Sequence, residues 1–135
     1  MGAEIETLRT IPFFKGLGAK QWEAIAQGCR QESHKQGATV VEKGEESKGM
    51  YIIVSGEVTV LRGADKVATL KANDFFGELA LLSAKPRTAT VRASSESLTV
   101  LFLPTATFNY IKFGLPTEVL DEISKRIKEN SGVGS

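Results

Sequence analysis

The sequence predicts an α+β domain in which a small β core is bracketed by helices. The central part of the chain is rich in β-branched and aromatic residues and is punctuated by Gly44, Gly56 and Gly63, a pattern typical of the short strands of a sandwich or barrel. Apolar residues on both sides of this region recur at spacings of three and four, as on one face of a helix. With 135 residues and 41% apolar composition, the chain can form one domain with its own core.

Residues 1–36 are predicted to be helical. Ile11, Phe14 and Leu17 share one side of a helical pattern, and Trp22 belongs to the next helical stretch. The sequence KGLGAK between them contains two glycines, which favour a turn. We therefore expect two short helices around a bend, with Trp22 as a packing residue.

The β core is predicted to occupy residues 37–103. Ser55 and Gly56 have the composition of a hairpin turn, as does the stretch from Gly63 to Asp65. Two later strands are indicated by the stretches TATVRAS and SLTVLFLP.

Helices are predicted again over residues 104–130, followed by a flexible tail at 131–135. Thr105 is the expected N-cap of the first of these helices, which should end near Gly114. The residues expected to pack from the two helices are Phe108, Tyr110 and Ile111, then Val119, Leu120, Ile123 and Ile127.

Composition restricts the possible functions. Seventeen basic residues oppose sixteen acidic ones, so no general field attracts nucleic acid or an anionic membrane. Cys29 has no partner for a disulfide and is expected to be a structural thiol in a reducing compartment. No apolar run reaches the roughly 20 residues of a spanning helix, and we expect a cytoplasmic protein without membrane insertion.

The stretch FFGELALLSAKPRTATV, residues 75–91, carries the chemistry. Gly77 precedes good helix formers, which predicts a helix of one to two turns that begins there. The N-terminal end of a helix favours a phosphate, and glycine permits its close approach. Arg87, which follows Pro86, can add a planar fork of donors to the same anion.

Glu78 determines which anion fits this site. A carboxylate beside a phosphate repels it unless the carboxylate accepts hydrogen bonds from another part of the ligand, and a sugar hydroxyl is the natural donor. A surface ion pair between Glu78 and Arg87 is the plainer alternative for these two residues alone.

These motifs resemble the cyclic nucleotide-binding domain family. The first similar stretch is residues 40–58, VVEKGEESKGMYIIVSGEV, which resembles the family's glycine-punctuated hairpin. The second resembles its phosphate-binding cassette, a name used below for residues 76–91. The matched residues are Phe76, Gly77, Glu78, Leu79, Ala80, Pro86, Arg87, Thr88, Ala89, Thr90 and Val91.

The resemblance implies an eight-stranded jelly roll with N-terminal helices, a short cassette helix and C-terminal lid helices. It also implies that Glu78 binds the ribose 2′-hydroxyl, that Arg87 binds the exocyclic phosphate oxygens, and that backbone amides of the cassette complete the cradle. The amides implied are those of Gly77, Leu79 and Ala80. The remaining ligand-binding candidates are Phe76, Pro86, Thr88 and Ala89.

Two positions differ from the family pattern. Asn73 stands where a glycine is usual, and asparagine tolerates the left-handed conformation of such a turn. Lys48 stands where kinase regulatory domains often have an acid that braces the arginine, so the brace is either missing or supplied by Glu45 or Glu46.

Thr88 bears on the choice of base. Its hydroxyl can donate to the phosphate and accept from the 2-amino group of a syn guanine, and threonine here resembles cyclic GMP-dependent kinases. Cyclic nucleotide-gated channels also have this threonine, and Ala68 stands where some cyclic GMP sites have arginine. The expected ligand is cyclic GMP, with cyclic AMP as the alternative; no cofactor or metal is expected.

The last helix is expected to close over the base as a lid. The stretch SKRIKEN has no aromatic residue, so the candidate lid residues are aliphatic or charged. They are Ile123, Arg126, Ile127 and Lys128.

A non-enzymatic regulatory module is therefore the expected function, since His34 is the only histidine and no metal or nucleophile system can be assembled. Its expected partners are a cyclic nucleotide and other domains of the same chain, either a serine/threonine protein kinase catalytic domain or further cyclic nucleotide-binding domains. The alternatives are a cyclic AMP-binding domain of a kinase regulatory subunit or channel, and a degenerate jelly roll that only mediates contacts.

Overall fold

The computed structural model describes residues 5–81 and 86–131, and in them eight strands form a sandwich of two four-stranded sheets. The strands are β1 Arg30–Lys35, β2 Thr39–Val41, β3 Gly49–Ser55, β4 Glu57–Arg62, β5 Asp65–Lys71, β6 Phe75–Phe76, β7 Thr90–Ala93 and β8 Ser97–Pro104. The first sheet has the order β1-β8-β3-β6 and the second β2-β7-β4-β5. All of these strand pairs are antiparallel.

Helices flank this sandwich at both ends of the chain, which confirms the predicted α+β class. They are α1 Ile5–Leu8, α2 Ala19–Gly28, α3 Thr105–Ile111 and α4 Thr117–Ser131, with short 3-10 helices at Pro12–Phe14, Glu78–Leu81 and Lys112–Gly114. The predicted tail beyond Ser131 lies outside the described residues.

The first sheet is covered on both faces, by the helices on one side and by the second sheet on the other. In β3, Met50 and Ile52 belong to the core cluster on the helical side, whereas Tyr51 and Ile53 belong to the cluster between the sheets. This arrangement explains why β3 is a continuous apolar run rather than an alternating one. Trp22 packs in the helix-side cluster, as predicted.

The prediction that helix extends to residue 36 was wrong, because residues 30–35 form strand β1. This strand is polar and largely exposed or half-buried, so it lacks the apolar alternation that indicates a strand. Antiparallel pairing with the buried strand β8, from Arg30 opposite Phe102 to Lys35 opposite Ser97, determines its conformation instead.

One predicted hairpin turn is confirmed and the other is not. Gly63 and Ala64 join β4 to its partner β5, with Arg62 opposite Asp65. Ser55 and Gly56 join β3 to β4, which lie in different sheets. That turn, in which Gly56 has a φ of 96°, therefore carries the chain from one sheet to the other.

The C-terminal helices follow the predicted pattern with two differences. Phe108 and Ile111 are buried, but Tyr110 is 58% exposed, because a residue one position before Ile111 is turned by about 100° away from the shared face. Thr105 is the first residue of α3 rather than its N-cap, which is Pro104.

Candidate functional site

An open cavity of about 420 Å³ lies between the cassette, the β4–β5 hairpin and α4. The cassette supplies one wall, and all nine cassette residues predicted as ligand contacts line it. They are Phe76, Gly77, Glu78, Leu79, Ala80, Pro86, Arg87, Thr88 and Ala89. The predicted residues therefore share one wall of the cavity, and their contact with a ligand stays a prediction.

The cassette helix is tighter than expected. It is a single 3-10 turn, Glu78–Leu81, and Leu82 lies outside the described residues. The backbone N–H of Ala80 donates to the carbonyl oxygen of Gly77 at 3.2 Å, as the i to i+3 pattern of a 3-10 helix requires. In this conformation that amide is engaged within the helix, which differs from the expectation that it faces a phosphate.

Gly77 allows Arg87 to approach the start of this turn. Its φ is +82°, a conformation that residues with a side chain rarely adopt. A Cβ at this position would lie 2.5 Å from Nη1 of Arg87. The backbone conformation therefore favours glycine, and a side chain at this position would require the Arg87 guanidinium to shift. On the other side of β6, Asn73 has a φ of 75°, which confirms the left-handed turn expected there.

Backbone carbonyl groups hold the guanidinium of Arg87. Its Nη2 donates to the carbonyl oxygen of Gly49 at 2.9 Å and its Nη1 to that of Gly77 at 3.4 Å. The main chain of Arg87 is also fixed, because its N–H donates to the carbonyl of Glu45 at 2.7 Å. These carbonyl contacts brace the arginine, and among the described residues the side chains of Glu45 and Glu46 form no ion pair with it.

Of the two charged groups of the cassette, Glu78 is buried and Arg87 is half-buried. Glu78 is 7% exposed, and burial raises the pKa of its carboxyl, while a backbone hydrogen bond and the charge of Arg126 oppose part of that rise. Burial lowers the pKa of Arg87, against the opposing influence of Tyr51, Glu45 and Glu78. Each group therefore carries a desolvation cost in the unliganded domain.

Glu78 and Arg87 do not neutralise each other directly. The ion pairs that the described residues form do not include one between these two side chains. This observation argues against the simple surface ion pair considered from sequence. A ligand with an anionic group and a neighbouring hydroxyl donor can compensate both charges at once.

Thr105 ties the cassette to the first C-terminal helix. Its hydroxyl lies 3.2 Å from the carbonyl oxygen of Ala80, at the cassette turn, and 3.4 Å from that of Lys48. Its backbone N–H also donates to Lys48 at 3.1 Å. The start of α3 is therefore bound both to the cassette and to the loop that precedes β3.

Helix α4 supplies the opposite wall of the cavity through Glu122, Arg126 and Glu129. These residues are four and three positions apart, so they share one face of the helix. Of the four predicted lid residues, only Arg126 lines the cavity.

The other three predicted lid residues are directed elsewhere. Ile123 is 4% exposed and belongs to the helix-side core. Ile127 packs against the same core, because it lies one helical turn after Ile123. Lys128 is exposed and does not line the cavity. The expectation of an aliphatic cover over the ligand was therefore wrong, since the aliphatic stripe is used to attach α4 to the domain.

Arg126 clamps α4 to the strand that leads into the cassette. Its guanidinium donates to Asp74 Oδ1 at 2.6 Å, to the carbonyl oxygen of Phe75 at 2.8 Å and to Glu122 Oε2 at 2.7 Å. It also lies 4.1 Å from the centre of the Phe75 ring. The hydrogen bond from Arg126 lowers the pKa of Glu122. This one side chain thus joins α4 to the residues at and just before β6.

The third wall was not predicted from sequence. It is formed largely by apolar residues of the β4–β5 hairpin, namely Val60, Val67, Ala68 and Leu70. Val60 lies opposite Ala68 and Leu61 opposite Lys66, so Val67 is an extra residue in β5. A bulge of this kind redirects side chains, and the consecutive residues Val67 and Ala68 both line the cavity.

Other sequence-based expectations concern groups outside the cavity. Cys29 is buried, and burial raises the pKa of its thiol to about 12, as fits a structural thiol. The part of the chain that the structure describes contains no cluster of three or more His, Cys, Asp or Glu residues suited to a metal ion. No described helix is long and apolar enough to cross a membrane.

Replacement of Glu78 by glutamine should stabilise the unliganded domain at neutral pH. Because the pKa of Glu78 is raised in the folded domain, its contribution to the free energy of unfolding is most favourable below its ordinary pKa of 4.5. That contribution is lost as the pH rises through the pKa in the folded state. Urea denaturation at pH 4 and pH 7 measures this effect. Glu78→Gln should increase the free energy of unfolding at pH 7 and leave it unchanged at pH 4. The control Glu96→Gln, at an exposed position, should leave it unchanged at both pH values. Equal effects of the two variants would contradict this account.

Comparison with curated sequences identifies relatives over most of the chain. A cyclic nucleotide-gated potassium channel of Rhizobium etli is 35% identical over 127 residues, covering 94% of this chain and 35% of the channel. A cGMP-dependent protein kinase of Toxoplasma gondii is 31% identical over 121 residues, covering 90% of this chain and 12% of the kinase. The chain thus spans about a third or less of the length of these relatives.

Comparison with solved structures identifies the same fold. The regulatory domain of Toxoplasma gondii PKA, solved with cAMP, superposes with a TM-score of 0.72 at 27% identity over 93% of this chain and 48% of that one. This similarity confirms the jelly-roll prediction. The family model for the cyclic nucleotide-binding domain matches residues 31–112, and the chain therefore belongs to the cyclic nucleotide-binding domain family.

Proposed function

We propose that this domain binds cyclic GMP in the cavity between the cassette and α4, and that binding changes how α4 is held and thereby regulates an effector. The observation that carries the proposal is that the buried carboxyl group of Glu78 and the half-buried guanidinium of Arg87 share one wall of a cavity that also has an apolar wall. The two charges influence each other at a distance but form no direct ion pair among the described residues, and a cyclic nucleotide offers a partner for each.

Arg87 is the proposed phosphate ligand. A guanidinium has five N–H donors, and its recorded hydrogen bonds to Gly49 and Gly77 hold one Nη2 and one Nη1 donor. The remaining donors are available to the exocyclic oxygens of the phosphate. The glycine at position 77 leaves room for the ligand at the start of the 3-10 turn.

Glu78 is the proposed ribose ligand. Its buried carboxylate accepts a hydrogen bond from the 2′-hydroxyl, and the loss of water from this carboxylate has already occurred in the folded domain. The apolar wall of Val67, Ala68 and Leu70 provides a surface for the base.

Thr88 supports cyclic GMP as the ligand. It follows Arg87 directly, lines the cavity and is exposed to it, so its hydroxyl is available to both a phosphate oxygen and the 2-amino group of a syn guanine. Cyclic AMP lacks that amino group, and it binds the same cassette with one contact fewer.

Regulation is proposed to act through Arg126. A ligand shifts a conformational equilibrium only by its difference in affinity for the two states, and Arg126 links α4 to Asp74 and Phe75 at the edge of the cavity. A nucleotide in the cavity changes the environment of this clamp and so favours one position of α4 over another.

The effector is proposed to be another part of the same protein. The relatives named above are a channel and a protein kinase, and each is much longer than this chain. A serine/threonine kinase catalytic domain, with further cyclic nucleotide-binding domains, is the arrangement that we propose.

Isothermal titration calorimetry of the purified domain with cyclic GMP, cyclic AMP and 5′-GMP tests the ligand. We expect the tightest binding for cyclic GMP and little for 5′-GMP, whose phosphate is not closed onto the ribose. Tighter binding of cyclic AMP would reject the guanine assignment, and absence of binding to either cyclic nucleotide would reject the proposed function.

Arg87→Lys should weaken cyclic GMP binding at least tenfold, or about 1.4 kcal/mol, because the planar fork that can bind two phosphate oxygens while it donates to two carbonyl groups is replaced by a compact point charge. Arg92→Lys is the matched control, since Arg92 is exposed on β7. Equal affinities for Arg87→Lys and the control in calorimetry would remove the phosphate assignment.

Gly77→Ala should also abolish tight binding, because the new Cβ would displace the Arg87 guanidinium. Gly37→Ala controls for backbone strain: Gly37 has a φ of +86° with nothing within 4 Å of a Cβ. Both variants should lose roughly 1 to 2 kcal/mol of stability, but only Gly77→Ala should lose affinity. Retained affinity in Gly77→Ala would contradict the proposed geometry.

Thr88→Ala should reduce affinity for cyclic GMP more than affinity for cyclic AMP, since only guanine has the 2-amino group. We expect a several-fold decrease in the ratio of the two association constants, measured by calorimetry under identical conditions. An unchanged ratio would show that the hydroxyl does not distinguish the bases.

A further inference from the structure

Four side chains form a row across the whole width of the first sheet. Arg30 of β1 lies opposite Phe102 of β8, Phe102 opposite Tyr51 of β3, and Tyr51 opposite Phe76 of β6. Directly opposite residues of antiparallel strands point to the same face. The row therefore leads from the outer strand to the residue with which the cassette begins.

Tyr51 occupies the centre of this row. Its ring stacks on that of Phe76 with centroids 5.1 Å apart and an angle of 9° between the planes. The ring of Phe102 lies against it at 5.1 Å and 50°. Because Tyr51 is 8% exposed and both neighbouring rings belong to the sheet, its orientation is closely restricted.

The guanidinium of Arg87 lies over the ring of Tyr51, with Cζ 5.6 Å from the ring centre. This distance is within the range of a cation–π interaction. The carbonyl oxygens of Gly49 and Gly77 restrain two nitrogens of the group, and two points do not define a plane. The ring of Tyr51 supplies the third contact, which restricts rotation about the line through those two nitrogens.

The charge state of Tyr51 suits this role. Burial raises the pKa of its hydroxyl, with Glu32 acting in the same direction and Arg87 and Arg30 opposing it. The side chain therefore stays neutral at physiological pH. A neutral ring attracts the cation through its quadrupole and leaves the charge of Arg87 for the ligand.

We propose that Tyr51 is a positioning residue that fixes the plane of the Arg87 guanidinium and thereby sets nucleotide affinity, although Tyr51 does not itself line the cavity. This inference rests on the proposed role of Arg87 as the phosphate ligand. It assigns the effect to the face of the ring and not to the hydroxyl.

Three variants test the inference by calorimetry with cyclic GMP. Tyr51→Leu removes the ring and should weaken binding about tenfold, whereas Tyr51→Phe keeps the ring and should change affinity less than about threefold. In the Arg87→Lys background, Tyr51→Leu should cause no further loss, because the two residues act as one unit. Phe108→Leu, a comparable truncation in the helix-side core, should lower the melting temperature without changing affinity.

A second readout does not depend on the nucleotide. In the unliganded ¹⁵N-labelled domain, the Arg87 Nε–Hε resonance, assigned by its absence in Arg87→Lys, should be shifted by the ring current of Tyr51. Tyr51→Leu should remove that shift, and Tyr51→Phe should retain it.

The outcomes separate this inference from the proposed function. Loss of affinity in Arg87→Lys with none in Tyr51→Leu would overturn the role of Tyr51 alone, as would equal losses in Tyr51→Phe and Tyr51→Leu. An unchanged Arg87 resonance in Tyr51→Leu would overturn the positioning. A resonance that responds as expected, in a domain to which no cyclic nucleotide binds, would support the contact while rejecting the proposed function.

Discussion

The burial of two opposite charges that are not paired with each other is the constraint around which this site is organised. Glu78 is buried and Arg87 is half-buried, and removing a charge from water is costly unless its partners compensate it fully. The backbone compensates Arg87 in part, through the carbonyl groups of Gly49 and Gly77. What remains is a desolvation cost to the stability of the fold. In the proposed function, an anion with a hydroxyl donor would relieve this cost, so that affinity would be gained at the expense of stability.

Both faces of the first sheet are buried, and its strand β3 contacts both layers of the domain. Alternate residues of β3 pack on opposite faces, with Met50 and Ile52 towards the helices and Tyr51 towards the second sheet. The same strand contributes the carbonyl group of Gly49 that holds Arg87. One strand therefore contacts the helical layer, the second sheet and the guanidinium of Arg87.

The sequence predicted those parts of the molecule whose signals are local. The cassette wall was predicted because glycine, acid and arginine lie within one short stretch, and the buried strands because their residues are β-branched. Strand β1 was missed, since its polar residues adopt strand only by pairing with β8. The wall at Val67 depends on a bulge opposite β4, and Ile123 was misassigned because only tertiary packing determines which face of α4 meets the core. Contacts between residues that are far apart in the sequence determine these three features, and the local sequence pattern does not indicate them.

The hydroxyl of Thr105, which joins the cassette turn to the first residue of α3, has a mechanical consequence. It places the first residue of α3, where the C-terminal helices begin, directly against the cassette turn. Helix α4 is attached separately, through the hydrogen bond from Arg126 to the carbonyl oxygen of Phe75. A displacement of the cassette and of the strand before it would therefore reach the two helices through two separate hydrogen bonds, one at the start of α3 and one towards the C-terminal end of α4.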